Sequence, residues 1–399
     1  MNRACLILAI TLLIISGAEA QIHRDPPLFN VSVNPTNIKF SSYDYMIGGY
    51  NATPVQVIPD AQGGGVLMAF HATNHLYSNV IRYTNLAYVN SLGVLQSVDS
   101  ILVDGSYNGY PSLDIDEVSG MGFLAWHNKI GTDAYYSVYG ALVSISGGQV
   151  NTIGLPQPIF SPHVNGSDYE WPIVRFGPSP IAGMRRIYVM AKRMATGTYT
   201  REVPEIAYTD FHPDAATFEG ERFWTYLTIP ELETWANNSN IWRRSFYTLV
   251  TDDNGSSYLC GYHTAYDLVS DLNIIEPNLD VFISDNFCAD PWRRVSISAH
   301  QAPSCQPPFY NSLYADISSS GHFNAVMDSE NKIHFPQLFV YSMTEDGNIY
   351  FYPSTHALRH IEFNTLTETF RIDDLFPSGA SPHSDPPYTP WDLDEDGIT

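Results

Sequence analysis

Three times in this chain an apolar residue, a small residue, an aromatic and a histidine follow in that order. The copies are Met68-Ala69-Phe70-His71, Leu124-Ala125-Trp126-His127 and Cys260-Gly261-Tyr262-His263. The first two also share an upstream opening, Tyr50-Asn51-Ala52-Thr53-Pro54 and Tyr107-Asn108-Gly109-Tyr110-Pro111. A phrase recurring at intervals of tens of residues marks a fold assembled from like modules. It also sets histidines at equivalent points of successive modules, so one pattern bears on both architecture and chemistry.

Around the phrase, apolar-alternating runs cycle through one plan of four. The first module has runs 53–58, 66–71, 80–89 and 94–102, with a turn at 60–65. The next three use 111–116, 122–127, 135–143 and 150–155; then 171–176, 186–191, 205–211 and 223–229; then 245–251, 257–263, 280–284 and 294–298. The fifth uses 322–327, 332–341, 348–352 and 369–372. Aromatic and β-branched residues dominate these runs, which favours strands. Only 229–242 and 266–273 read as short helices. Alternation in fours without a long amphipathic helix predicts an all-β fold, a β-propeller of four-stranded blades. Five blades are counted, and five to seven fit the length. Residues 299–321, with the run 313–317, leave room for part of a sixth blade, and residues 29–40 for a strand that completes the last blade. Ring closure of that kind removes exposed sheet edges.

The termini read separately. Residues 1–20 carry Arg3, an apolar stretch and the small-x-small site Ala18-Glu19-Ala20, the pattern of a secretory signal peptide. The propeller is expected over 21–376, and 377–399 as a Pro/Ser linker with an acidic tail. No other stretch is long and apolar enough to span a membrane. An exported, soluble monomer is expected. The net charge of −23, from 42 acids and 19 bases, repels nucleic acid and anionic membranes and excludes both as partners. Beyond the signal segment lie Cys260, Cys288 and Cys305. One disulfide and one free thiol is the simplest arrangement, with Cys288 and Cys305 as the pair and Cys260 as a small buried hydrophobe.

In a propeller blade the innermost strand starts at one face and the second strand returns to it. The openings and the histidines are therefore expected around one mouth of the central channel. That rim gathers His71, His127, His263 and a basic residue, Lys192 or Arg193, together with residues 337–339. Three readings stay open. The histidines bond a neighbouring blade's backbone. Or they line a ligand pocket in which Tyr110, Trp126 and Trp171 stack on a sugar. Or three of them hold a metal.

Carboxylates supply an enzymatic alternative. Asp114 and Asp116 lie at i and i+2 on one inner strand and so share a face. They are the first catalytic candidates, with Asp60, Asp168 and Glu170 near the loops. A pair about 5–10 Å apart serves glycoside hydrolysis, although aspartates at strand ends are also ordinary turn formers. At the chain's end, Asp392, Asp394 and Asp396 before Gly397 fit the opening of a calcium loop, against a plain solvated tail. Asn-x-Ser/Thr sites occur at Asn30, Asn51, Asn165, Asn237 and Asn254.

The run Thr251-Asp252-Asp253-Asn254-Gly255-Ser256-Ser257-Tyr258 resembles the Asp-box of sialidase-type propellers. That resemblance implies a structural turn, the Asp bonding backbone amides and the aromatic packing inward. It sits between the first and second strands of its module, whereas the family usually carries it between the third and fourth. It also makes Arg175, Arg186 and Arg244 the candidates for a carboxylate clamp. The family's opening motif is absent, so the resemblance extends to fold and not to sialidase activity. More broadly the chain resembles exported bacterial propeller proteins. The expected function is a secreted binding or surface-associated module for a glycan or an extracellular protein. The alternative is a carbohydrate-active hydrolase.

Overall fold

Strand β6 (Gly122–Asn128) shows why these runs fold as they do. Phe123 and Ala125 pack into one apolar cluster and Leu124 and Trp126 into another, and all four are fully buried. A strand apolar on both faces needs a sheet on either side of it, which a ring of blades provides. Burying each such large side chain contributes about 1.5–3 kcal/mol.

The computed structural model describes residues 37–39, 53–73, 82–101, 108–129, 135–146, 148–161, 168–194, 202–213, 223–236, 241–266, 275–298, 313–317, 324–345 and 348–374. The signal segment, most of 29–40, Cys305 and the tail with Asp392, Asp394 and Asp396 lie outside them. So do the sequons at Asn30, Asn51, Asn165 and Asn237. Among the described residues no helix is long and apolar enough to cross a membrane.

Five antiparallel sheets follow in chain order. Blade one is β1 (Val55–Val57), β2 (Val66–Ala72), β3 (Tyr83–Val89) and β4 (Leu95–Ile101); blade two is β5 (Gly109–Ile115), β6, β7 (Ser137–Ser146) and β8 (Gln149–Phe160). Blade three is β9 (Tyr169–Pro178), β10 (Arg185–Arg193), β11 (Val203–Phe211) and β12 (Thr225–Leu227), followed by helix α1 (Pro230–Ala236). Blade four is β13 (Ile241–Thr251), β14 (Ser257–Tyr266), β15 (Ile275–Ser284) and β16 (Arg293–Ser298). Each is a simple meander. The molecule is a five-bladed β-propeller.

Blade five departs from the expected plan. β19 (Lys332–Glu345), β20 (Asn348–Asn364) and β21 (Thr369–Asp374) pair in sequence, and β20 is one strand where a shorter run was expected. β18 (Val326–Met327) pairs with one end of β19 and β17 (Leu313–Ile317) with the other. Residues 313–317 therefore belong to blade five rather than to a sixth blade. Of the expected helices, 230–236 is observed, whereas Tyr266 ends a strand and 267–274 lie outside the described residues.

Hydrogen bonds link the inner strands around the channel. Leu113 N–H donates to Thr53 O at 3.1 Å, and Gln56 Nε2 to Leu113 O at 2.9 Å. Val174 N–H donates to Ser112 Oγ at 3.0 Å, Phe176 N–H to Asp114 Oδ2 at 2.7 Å and Thr251 Oγ1 to Phe176 O at 2.7 Å. Apolar clusters join blades one and two, two and three, three and four, and four and five. Blade five and blade one share no such cluster among the described residues. Ile38 packs against Phe70, Ala72 and Ala87 on the face of blade one turned from blade two.

The small residue of the repeated phrase has a packing reason. Ala69 and Ala125 are fully buried, and a Cβ on Gly261 would lie 2.2 Å from the Tyr247 ring. The Asp-box turn forms as the resemblance implies: Asp252 Oδ1 accepts the Asn254 and Ser256 amides at 2.9 and 2.8 Å, and Tyr258 is buried. Blade five repeats it without the motif. Asp328 Oδ1 accepts the Glu330 and Lys332 amides, and Asn331 takes the left-handed φ of 62° where blade four has Gly255 at 94°. Asparagine tolerates that region better than most residues.

Both described thiols are free and buried. Burial holds Cys260 well above the usual thiol range and pushes Cys288 up to about 12. The expected Cys288–Cys305 disulfide is thus corrected: Cys288 packs in the core between blades three and four.

Candidate functional site

The repeated histidines lie near the ends of the second strands of their blades. His71 is the penultimate residue of β2 and His127 that of β6, while His263 pairs with Arg243 and Asn278 near the end of β14. The inner strands β5 and β9 begin at the same face, which brings Tyr110 and Trp171 alongside. Four side chains meet there. Tyr110 stands edge-on to His71, His127 and Trp171, with ring centroids 5.0, 4.8 and 6.4 Å away. Tyr136 adds a fifth ring, 5.0 Å from His127. The His263 side chain lies outside what the structure describes.

Tyr110 and Trp171 hold unusual backbone angles, φ of 51° and 49°. Each precedes a proline, Pro111 and Pro172. A bulky residue in this region is an outlier, and a following proline further narrows the choices of the residue before it. The β5–β6 register slips between Gly109 and Ser112, and the β9–β10 register between Met190 and Lys192. These bulges turn both rings toward the mouth, where the two side chains are half-buried. Strain of this kind persists only where surrounding contacts impose it, and it concentrates at functional sites.

His71 serves the framework directly. Its Nδ1 accepts the Tyr110 amide at 2.9 Å, so it bonds the backbone of the next blade. His127 does not repeat that bond: its buried Nδ1 has no hydrogen-bond partner. Both imidazoles are held neutral, His71 lowered to about 3 and His127 well below the usual range. Burial is the main cause in each, and the Arg82 guanidinium adds to it. Next to His127, Asn128 is fully buried with neither amide atom partnered.

Charged groups complete the mouth on the blade-three side. Lys192 Nζ lies 3.8 Å over the Trp171 ring and 2.7 Å from Glu202 Oε2. Burial pushes the Glu170 carboxyl up to about 7, against the opposing pull of Lys192 and with the repulsion of Asp168 and Glu202. Asp168 Oδ1 accepts the Tyr136 amide.

Two of the expected ligand residues sit elsewhere. Trp126 is fully buried between blades one and two, and its indole N–H donates to Asn108 Oδ1 at 3.1 Å. Arg193 is buried and clasps α1, its Nη2 donating to both Glu233 oxygens at 2.7 and 2.8 Å, with Glu205 3.3 Å from Nη1.

The carboxylates Asp114 and Asp116 lie toward the opposite end of the channel. Asp116 Oδ2 caps its own turn through the Ser119 amide, and its Oδ1 pairs with Arg185 at 2.7 Å. Asp114 accepts the Phe176 amide, and burial raises its carboxyl to about 6. Six residue steps along β9 separate Glu170 from Phe176, a span of about 20 Å. Glu170 and Asp114 are therefore too far apart to act as a pair on one bond. A cavity of ≈ 1300 Å³ opens at this end, bounded by the innermost strands or turns of all five blades, with Arg175 in its wall. Arg186 takes no part in a clamp there; it holds Asp210 bidentately at 2.7 and 2.8 Å under the Tyr208 ring. The Arg244 side chain lies outside the description.

Sequence reasoning missed Tyr136, Asn128 and the cavity. Aromatic-Pro pairs at matched positions, Tyr110-Pro111 and Trp171-Pro172, were the readable signal for the two strained rings. Among the described residues no group of three or more His, Cys, Asp or Glu side chains is placed to hold a metal.

No protein-family model matches this chain, and no curated protein matches it. Solved structures similar to it include an exo-β-1,3-galactanase from Phanerochaete chrysosporium, at 10% identity over 81% of this chain and 67% of that one, with a TM-score of 0.36. An α-L-arabinanase from Cellvibrio cellulosa is 9% identical over 81% and 95%, with a TM-score of 0.37. A levansucrase variant from B. subtilis is 11% identical over 84% and 91%, with a TM-score of 0.38. The five-bladed assignment rests on the strand pairing itself.

Proposed function

We propose that this propeller is a secreted glycan-binding module whose ligand sits at the histidine-bearing mouth. The observation that carries the reading is the pair of half-buried aromatics, Tyr110 and Trp171, held at matched strained positions on adjacent inner strands. An aromatic face takes up the C–H face of a sugar ring. Glu170 and Lys192 supply hydrogen-bonding groups nearby. His71 stands behind the site as the support of Tyr110.

The test is equilibrium binding of the full chain across a glycan array, repeated with Tyr110→Gly and Trp171→Gly. Binding to a defined glycan class, lost in both variants while the melting transition is retained, is the expected result. Unchanged binding in both would refute the site.

A second reading rests on Glu170. A carboxyl raised to about 7 suits a general acid, so the mouth also fits a glycoside hydrolase. Asp168 and Glu202, the acids that repel it, are each already engaged, which favours binding without turnover. Hydrolysis of an array glycan that disappears in Glu170→Gln would reverse that preference.

A further inference from the structure

Blade five carries a chain of four side chains on one face, beginning at Asp328 on the edge of the channel cavity. His334 Nε2 meets Asp328 Oδ2 at 2.9 Å, His334 Nδ1 meets His360 Nε2 at 2.8 Å, and His360 Nδ1 lies 3.6 Å from Asp373 Oδ2. The two rings are nearly parallel, 13° apart with centroids at 5.0 Å. The strand register makes this face: His334 lies opposite Glu362, and His360 opposite both Pro336 and Asp373. The alternate residues Ile333, Phe335, Ile361 and Phe363 point the other way into the core shared with blade four. The histidine face is therefore the one turned from blade four. Both imidazoles are 28% exposed, which leaves them open to solvent.

We propose that His334 and His360 form a two-histidine binding site for a borderline transition-metal cation such as Zn²⁺. The carboxylates fix the ring orientations. Asp328 is itself held by the Glu330 and Lys332 amides and accepts the Nε2 proton of His334, leaving Nδ1 as a lone pair. Asp373 is held by Arg371, at 3.1 Å, and stands behind the far nitrogen of His360. Imidazoles backed by carboxylates on their outer nitrogens are the usual support of metal-ligating histidine. In the metal-free protein the Nε2 proton of His360 fills the gap between the rings. On metal binding His360 keeps one ring proton, which passes through solvent from Nε2 to Nδ1, where Asp373 accepts it. Both facing nitrogens then donate lone pairs to the metal. Zn–N bonds of about 2.0–2.1 Å at a tetrahedral angle set the nitrogens about 3.3 Å apart. The rings must separate by roughly half an ångström and each turn by about 35° so that the two lone pairs converge on the metal, a movement of side-chain torsions at a partly exposed site. Water completes the coordination. The nearby charges, Lys332, Glu362 and Arg371, come from the same three strands, and Lys332 already faces Glu330 and Glu362.

The test is calorimetric titration of the chelator-stripped full chain with Zn²⁺. One saturable site is expected. Its affinity should fall about tenfold or more in His334→Gln and in His360→Gln, fall by a similar factor in Asp373→Asn, and stay unchanged in His212→Gln on blade three. Cu²⁺ in place of Zn²⁺ should give an electron paramagnetic resonance spectrum with two nitrogen ligands, lost in both histidine variants. Absence of a saturable site in the parent chain overturns the proposal. Equal Zn²⁺ affinity in both histidine variants, or a Cu²⁺ spectrum with oxygen ligands alone, does so too.

Discussion

Replacing Trp171 or Tyr110 by glycine should leave the protein more stable than replacing either by alanine. That order is the reverse of normal strand behaviour. Both substitutions delete the ring, so the lost packing against His71, His127 or Lys192 cancels in the comparison, and only the backbone term remains. At φ of 49° and 51° a Cβ costs about 1–2 kcal/mol relative to a relaxed conformation. Glycine escapes that cost but loses about 0.5–1 kcal/mol more chain entropy on folding. The difference favours glycine by about 0.5–1 kcal/mol at each site. Urea denaturation with a common slope resolves it as a midpoint shift of ~0.3 M. The sites lie on different blades, so the effects in a double variant should nearly add, unless their ring contact at 6.4 Å couples them. If the alanine variants equal or exceed the glycine variants at both sites, the strained-bulge account of the mouth is refuted.

Other perturbations test the interior. Asp114 titrates near 6 in the fold and near ~3.9 unfolded, so the folded state holds the extra proton between those values and stability falls as pH rises through them. Asp114→Asn keeps an acceptor for the Phe176 amide; its melting temperature should be flatter across this window and no lower than the parent's at pH 7. His71 has the opposite sign: lowered to about 3, it stays neutral while the unfolded chain protonates near ~6.5, so stability is lost as pH falls between the two. His71→Asn keeps an acceptor for the Tyr110 amide and should show a smaller acid loss by circular dichroism. Gly261→Ala forces a methyl into the Tyr247 ring and should cost about 1–3 kcal/mol in thermal unfolding, with the fold retained.

The blades were legible because packing repeats itself. A strand buried on both faces must be apolar throughout, and of the small residues before each aromatic Ala69 and Ala125 are fully buried while Gly261 is required by the bulk of Tyr247. The mouth was legible for a related reason, since strand polarity alone assigns His71, His127, Tyr110 and Trp171 to one face. Side-chain fate was harder to read. Trp126 and Tyr110 are both aromatics next to the rim, yet strand alternation turns one into the core and a bulge turns the other outward. Arg193 and Lys192 are adjacent, and only the arginine reaches the acids of α1. Asp116 reads as a catalytic candidate and Asp252 as an Asp-box turn, yet each accepts amides of its own turn, and Asp116 gives its other oxygen to Arg185. Such outcomes depend on pairing partners far along the chain, which a local pattern does not encode.

Blade three is gripped from both sides. Val174, Phe176, Ile187 and Val189 share a core with blade two, and Ile173, Tyr188 and Met190 share another with blade four. In an array of like modules stability is close to a sum of neighbour contacts, so a strand wedged between two cores is among the last to open. The amides in the middle of β10 should therefore exchange among the slowest in the molecule, which sets the rigid reference against which any movement of the mouth is read.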